Sequence, residues 1–327
     1  MICINSLVES FKRDSHIKRA VIRHSKLQPL RQALSFAFDW SCIISAAMIS
    51  IKINNPLVYA ISVVVIAARQ HGLLVLMHEG AHMRLAKNIR LNDFFSNTFA
   101  AYPVLISTSD YRTHHTAHHK HTNSDKDPDW IRKIPLAEWQ FPQSKAKILK
   151  NIFKQLFVGG WEWISLMARL SKKDWKKALY WCGTLAIIGY FNIWKEAVLY
   201  WFIPLLTFFP MFQRIRSISE HFGLQRNHEL NASRNILSNP LERFFFSPHN
   251  VNYHLAHHLF PSVPQYQLKF FHQELKKHPV YAEHSHYNNS FLGQYNSVFA
   301  DLHQTTTNTS TTDAFVAEEP SSSNQAS

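Results

Sequence analysis

Histidine at short, repeated intervals is the part of this sequence that could do chemistry. The first cluster is His78-Glu-Gly-Ala-His82. The second is His114-His115-Thr-Ala-His118-His119, with His121 just beyond, and the third is His254-Leu-Ala-His257-His258. A separate histidine, His221, stands in Ser-Glu-His-Phe between the second and third clusters. Neutral imidazole is the commonest protein ligand for transition metals. Residues four apart on a helix lie about 40° apart around its axis, so His78 and His82 share a face. An H-x-x-H-H triplet holds its three imidazoles within an arc of roughly 100°. Two triplets, a pair and a single histidine exceed the roughly four to six ligands that one ion takes. Two metal ions are the economical reading, and the chain reads as a metalloenzyme.

The elements that must position these clusters are apolar. Stretches 34–51, 56–77, 178–193 and 197–213 are long and contain few charges. Each approaches the ~20 residues that cross a bilayer, with Trp and Tyr near their ends. Asp39 interrupts the first, and Pro204 and Pro210 interrupt the fourth. Membrane helices tolerate proline where neighbours satisfy the freed carbonyls. The expected fold is an all-α integral membrane protein with about four transmembrane helices.

Charge gives the orientation. Lys12, Arg13, Lys18, Arg19, Arg23, Lys26 and Arg31 crowd the N-terminal arm. Lys145, Lys147, Lys150, Lys172, Lys173, Lys176 and Lys177 crowd the segment 120–177. The two short connections hold almost none, Lys52 in one and Lys195 in the other. The positive-inside rule then puts every histidine cluster on the cytoplasmic side. That requires the apolar stretch 94–108 to dip into the interface and return, because a crossing would separate the first two clusters. The expected organisation is a basic amphipathic arm over 1–33, suited to lying on a membrane, a membrane domain over 34–302, and a polar, disordered tail over 303–327.

Composition excludes several classes. The formal net charge of +13 suits anionic lipid, and no nucleic-acid module is recognisable, so no nucleic-acid partner is expected. The three cysteines, Cys3, Cys42 and Cys182, include no C-x-x-C pair. That argues against a zinc ribbon, an iron–sulfur cluster or a disulfide framework. The first ten residues lack the basic and apolar regions of a cleavable signal peptide.

In this order the three clusters resemble the histidine boxes of the membrane fatty-acid desaturase and hydroxylase superfamily. Neighbouring text is similar too: Tyr111-Arg112 before the second box, and Thr122-Asn123 and Asp127-Pro128-Asp129 after it. Asn252-Tyr253 precede the third box, Leu259-Phe260-Pro261-Ser262-Val263-Pro264 follow it, and Arg216 to His221 is similar to the family's separate ligand region. The likeness runs over roughly 40–275. It implies a cytoplasmic helical cap holding two iron ions, O2 as co-substrate, a lipid acyl chain as substrate, and electrons from an external ferredoxin or cytochrome-type carrier. No flavin or nicotinamide fingerprint and no His-Pro-Gly-Gly haem motif is present to supply electrons internally. The basic segment 120–177 offers an acidic carrier a landing surface.

The ligand set expected on this basis is His78, His82, His115, His118, His119, His221, His254, His257 and His258. In the second box His114 competes with His115, since helical geometry suits either; the text after the box favours His115. Glu79 and Glu220 adjoin ligands and are candidates to orient imidazoles. Asp127 and Asp129 are turn residues or partners of ligands, His121 is a ligand's neighbour or a surface residue, and His249 is placed to orient a ligand or the backbone. Three rival functions arise. His78-Glu79-x-x-His82 is literally the H-E-x-x-H of a zinc protease, though this leaves the other clusters without work. A metal transporter would place ionisable groups inside the spans. A hydroxylase or ketolase acting on lipid or carotenoid would use the same boxes.

Overall fold

The computed structural model describes residues 4–170, 174–293 and 295–304. Helices dominate it, and the strands among the described residues are one short parallel pair, β1 (Asn235–Ile236) and β2 (Tyr287–Asn288). Two short helices, α1 (Ile4–Arg13) and α2 (Ser15–His24), open the chain. Two long apolar helices follow, α3 (Pro29–Ile53) and α4 (Pro56–Ala81). Local sequence sets the turn between them. Asn54 takes the left-handed conformation that ends α3, and the Asn55 side chain accepts from the Leu57 and Val58 amides to start α4.

Beyond α4 come α5 (Ile89–Ser96), α6 (Thr108–His121), α7 (Pro128–Lys133), α8 (Lys145–Leu170) and α9 (Trp175–Tyr190). A third long segment, α10 (Trp194–His221), is interrupted by a π-turn over Val198–Phe202 and a break at Thr207. Pro204 and Pro210 flank that break, each lacking the amide a continuous ladder needs. The helices α3, α4 and α10 are long and apolar enough to cross a membrane. The third expected span, 178–193, forms α9, which has 16 residues. At 1.5 Å per residue that is about 24 Å, short of a ~30 Å hydrocarbon core.

The stretch 94–108 goes out and comes back. From α5 the chain passes through a π-turn (Asn97–Ala101) and a 3-10 turn (Tyr102–Val104), reverses at Leu105 (φ 72°), and enters α6 beside the end of α4. Irregular backbone survives in an apolar setting only if its carbonyls find donors. Here tryptophans supply them. The indole N–H groups of Trp40, Trp181, Trp201 and Trp163 donate to the carbonyls of Phe99, Tyr102, Pro103 and Val104, at 3.0, 3.0, 3.1 and 3.1 Å. They come from α3, α9, α10 and α8, so four helices fasten one loop.

The remaining helices, α11 (Pro240–Phe246), α12 (His254–Leu259), α13 (Gln265–Leu275), α14 (Pro279–His284) and α15 (Val298–Gln304), follow α10. Much of this region closes over α1 and α2. Val8, Phe11, Ile17 and Ala20 are buried against Leu255, Leu268, Phe271 and Tyr281. The apolar face of the N-terminal arm is therefore used by protein, where a membrane-surface role was expected for it. The expected tail beyond Gln304 lies outside the described residues, as do Lys172 and Lys173.

Replacing Trp163 by Phe keeps the ring but leaves the Val104 carbonyl without its donor. The expected loss is about 1–3 kcal/mol, measured by thermal unfolding of the purified protein. Trp161→Phe, on an exposed position of the same helix, should change stability by no more than about 0.5 kcal/mol.

Candidate metal centre

Each histidine cluster arrives on a helix end. His78 lies in the last turn of α4 and His82 caps it, while the second cluster fills the C-terminal half of α6. His221 is the last residue of α10, and the third cluster occupies α12. Gly80 permits this assembly, because a Cβ there would collide with Ser96 of α5. Arg112 of α6 then fastens the pieces. Its guanidinium donates to the Gly80 and Ala81 carbonyls at the end of α4, both at 2.9 Å, and pairs with Asp93 of α5. A cation at a helix C-terminus also meets the negative end of the helix dipole.

The nine histidines expected as ligands fall into two groups. His78, His82, His115, His119 and His257 form one, and His118, His221, His254 and His258 the other. Within each group the nearest ring nitrogens all lie within 4.8 Å of one another. In the second box successive residues thus serve different groups: His118 faces one and His119 the other. His257 and His258 are divided in the same way. About 100° separates adjacent residues on a helix, so one turn can feed two centres.

Four of the outward ring nitrogens meet partners, and at two of them the partner fixes the tautomer. His118 Nδ1 donates to Asp127 at 2.9 Å, and His221 Nδ1 donates to the Ala232 carbonyl at 3.2 Å. Both partners can only accept, which leaves the Nε2 atoms of these two rings as bare lone pairs. His258 Nδ1 meets the Thr122 hydroxyl at 3.3 Å, and His115 Nδ1 meets the Tyr111 hydroxyl at 3.4 Å. His254 Nδ1 sits 3.3 Å from Glu220 Oε1, off the hydrogen-bond direction.

Inward, Nε2 faces Nε2. The separations are 3.0 Å for His115–His119, 3.1 Å for His119–His257, 2.9 Å for His221–His254 and 3.0 Å for His254–His258. His118–His221 adds another at 3.2 Å. The Nε2 atoms of His78 and His82 are buried without any partner. Converging lone pairs repel in a buried space unless a cation sits among them. The donor set therefore fits a pair of metal ions, one among five imidazoles and one among four.

Burial keeps these rings neutral, as ligation requires. Burial first, then the charges of Arg84 and Arg112, lowers His82 to about 4. Burial, followed by His82 and His118, lowers His119 to about 2. His115, His254, His257 and His258 are likewise held well below the ordinary histidine range, burial being the largest cause. At Asp127 burial pushes the carboxyl up, but the His118 hydrogen bond and charge outweigh it, and the group ends below its ordinary value.

The other candidates sit around the groups. His114 points away from them and pairs with Asp129 at 3.1 Å, so the geometry aims His115 inward. His121 ends α6 and belongs to neither group. Glu79 is buried, and its Oε2 accepts from the Gln265 amide at 2.9 Å, at the start of α13. That geometry spends the carboxylate of H-E-x-x-H on a structural contact. Glu220 accepts from Arg216 Nε at 2.6 Å and stands beside His254. His249 bonds the buried Asp39 at 2.6 Å and belongs to neither group, and Asp39 also pairs with Arg69 at 3.1 Å. Arg69 in turn donates to the Phe244 carbonyl, in the chain leading to the third box. Sequence reasoning missed Asp39 as a partner and read it as an interruption of a span. It could not have found the Ala232 carbonyl, which carries no side-chain signal.

The chain is thus a helical protein with three helices long and apolar enough to cross a membrane and two buried groups of imidazoles at helix ends. The sequence profile of the fatty acid desaturase family matches residues 54–291, and the chain belongs to that family. It is 27% identical to a dihydrorhizobitoxine desaturase of Bradyrhizobium elkanii over 79% of this chain and 80% of that one. A chloroplastic omega-6 fatty acid desaturase of Spinacia oleracea is 22% identical over 63% of this chain, which spans about half (51%) of that relative. An sn-1 acyl-lipid omega-3 desaturase (ferredoxin) of a Nostoc strain is 22% identical over 65% of this chain and 66% of its own length.

Two outcomes follow. His115→Ala should lower bound metal per chain, whereas His114→Ala should leave it unchanged, as read by elemental analysis of the purified proteins. For metal-free protein, histidines near 6.5 when unfolded but lowered when folded give stability that is complete above that pH. It is lost as pH falls toward the folded values. Each such ring contributes up to about 1.4 kcal/mol per pH unit in that window. Thermal unfolding of chelator-treated protein should show a falling midpoint between roughly pH 7 and pH 5.

Proposed function

We propose that this protein is a membrane-bound, O2-dependent acyl-lipid desaturase, an oxidoreductase with two iron ions held by the nine histidines. The observation that carries the reading is the sorting of three boxes and His221 into five- and four-imidazole groups. Bound there, iron would supply the activation of O2 that attack on an unactivated C–H bond requires. One turnover removes two hydrogens from neighbouring carbons; O2 leaves as two waters, and two electrons and two protons enter from outside.

The protein's own part is orientation and exclusion of water. Asp127, the Ala232 carbonyl and Thr122 hold imidazoles of the four-histidine group with Nε2 inward. Tyr111 meets His115 within the second box, and Arg112 ties that box to the end of the first. Electrons come from a separate carrier, and one relative's name includes ferredoxin. The exposed basic residues Lys120, Lys126 and Arg132, near the second box, suit an acidic donor. Positive-inside charge supports placing the centre on the cytoplasmic side.

The name of the Bradyrhizobium relative favours a second substrate reading, a molecule other than an acyl lipid. Mass spectrometry of a host expressing the chain separates the readings, with His257→Ala and His258→Ala variants as controls. The expected result is a lipid acyl chain lighter by two hydrogens that disappears in both controls. A product heavier by one oxygen would make the enzyme a hydroxylase or ketolase. A lighter water-soluble product with unchanged lipids would move the substrate to the second reading.

A further inference from the structure

The third box sits on a helix too short to hold itself. α12 has six residues, and Tyr253 before it makes no side-chain cap bond. The first amides of a helix have no partner within it and must find one elsewhere. Here the segment 232–236 supplies partners. The Leu255 amide donates to the Arg234 carbonyl at 3.1 Å, and the Ala256 amide donates to Asn235 Oδ1 at 3.2 Å. Just before the helix, the Ile236 amide donates to the Asn252 carbonyl at 2.8 Å, and Asn252 Nδ2 donates back to the Ile236 carbonyl at 2.6 Å.

That segment serves the two metal groups unequally. The Ala232 carbonyl holds His221, and α12 carries His254 and His258, so three of the four imidazoles in the smaller group depend on it. In the larger group α12 carries one of five, His257, while His78, His82, His115 and His119 come from α4 and α6.

Asn235 is itself held. It is fully buried, and its Nδ2 donates to the Tyr281 hydroxyl at 2.8 Å. That hydroxyl lies 3.0 Å from His272 Nδ1. Burial, then the charge of Lys276, lowers His272 to about 4, so its ring is neutral and Nδ1 can accept. The hydroxyl donates to His272 and accepts from Asn235, which leaves Asn235 Oδ1 for the third box. The Tyr281 ring stacks on Phe11 of α1 with centroids 5.7 Å apart, and both rings are fully buried. Phe11 also meets Phe260, the residue after α12, edge-on at 6.2 Å. The N-terminal arm, which precedes the stretch 54–291 matched by the family profile, thus reaches the supports at both ends of the third box.

We propose, on the two-metal reading of the nine histidines, that Asn235 is a positioning residue for the four-histidine group, kept in place by Phe11 of the N-terminal arm through Tyr281. Without the Asn235 side chain the start of α12 is freed, and His254 and His258 shift together. The five-histidine group keeps the four ligands of α4 and α6.

Full-length protein stripped with a chelator and titrated with ferrous iron under argon, in competition with a coloured chelator, tests this. Wild-type protein should bind one iron at each group, and His221→Ala marks which step belongs to the four-histidine group. In Asn235→Ala that step should weaken about 10–100-fold, the range for losing a group that orients a ligand, with the other step unchanged. Tyr281→Phe keeps the ring and removes only the hydroxyl; it should weaken the same step, as should Phe11→Ala. Equal weakening of both steps, as a general loosening of the fold would give, overturns the proposal, and so does no change in either. A weakened step in Asn235→Ala with none in Phe11→Ala overturns the arm's part in it. Should Asn235→Ala fail to fold, Tyr281→Phe decides by the same outcomes. Wild-type protein that bound fewer than two irons would sink the two-metal reading, and the role of Asn235 with it.

Discussion

Nine imidazoles must share one small, buried space, and the rest of the structure answers that constraint. Some rings have an outward nitrogen held by protein, while others, such as both nitrogens of His78, are buried without a partner. Wherever the outward partner is an acceptor, as at Asp127 and the Ala232 carbonyl, the inward nitrogen is left as a lone pair. Without a cation such an arrangement is costly; with one it becomes a preformed ligand cage. Long helices suit the task because they carry their own backbone hydrogen bonds and can be packed end to end around a centre.

Holding that cage requires contacts far from it. Asp39, in the first span, joins Arg69 of the second span to His249 in the chain before the third box. Gly72 leaves room for it, since a Cβ there would come within 2.5 Å of the Asp39 carboxylate. Buried ion pairs of this kind add little net stability, but breaking one leaves an uncompensated charge. Glu79 plays a parallel role by accepting from the start of α13. Both carboxylates couple the first span pair to the segment around the third box, so that boxes distant in sequence stay in register.

The returning loop at 97–105 solves a different problem. It carries the chain from the first box to the second and back beside the end of α4, and its irregular backbone needs donors that a helix ladder does not supply. Four indoles take over that function, from α3, α8, α9 and α10. Tryptophan suits the position because it combines a large apolar ring with a single donor.

Much of the site was legible in the sequence. The histidine spacing, the apolar stretches and the text around the boxes pointed to the family, to a helical membrane fold and to the nine residues that gather. Helical periodicity is a local property, which is why His78 and His82, or His254 and His258, could be placed on one face beforehand. Which ring joins which metal group was not local. The division of His118 from His119, and of His257 from His258, follows from how α6, α10 and α12 cross. The same limit kept His114 and His115 equivalent until Asp129 was seen to hold His114. Asp39 and the Ala232 carbonyl escaped for the same reason. A span's interruption and a backbone oxygen acquire meaning only from what packs against them, and that is set by contacts between residues tens to hundreds of positions apart.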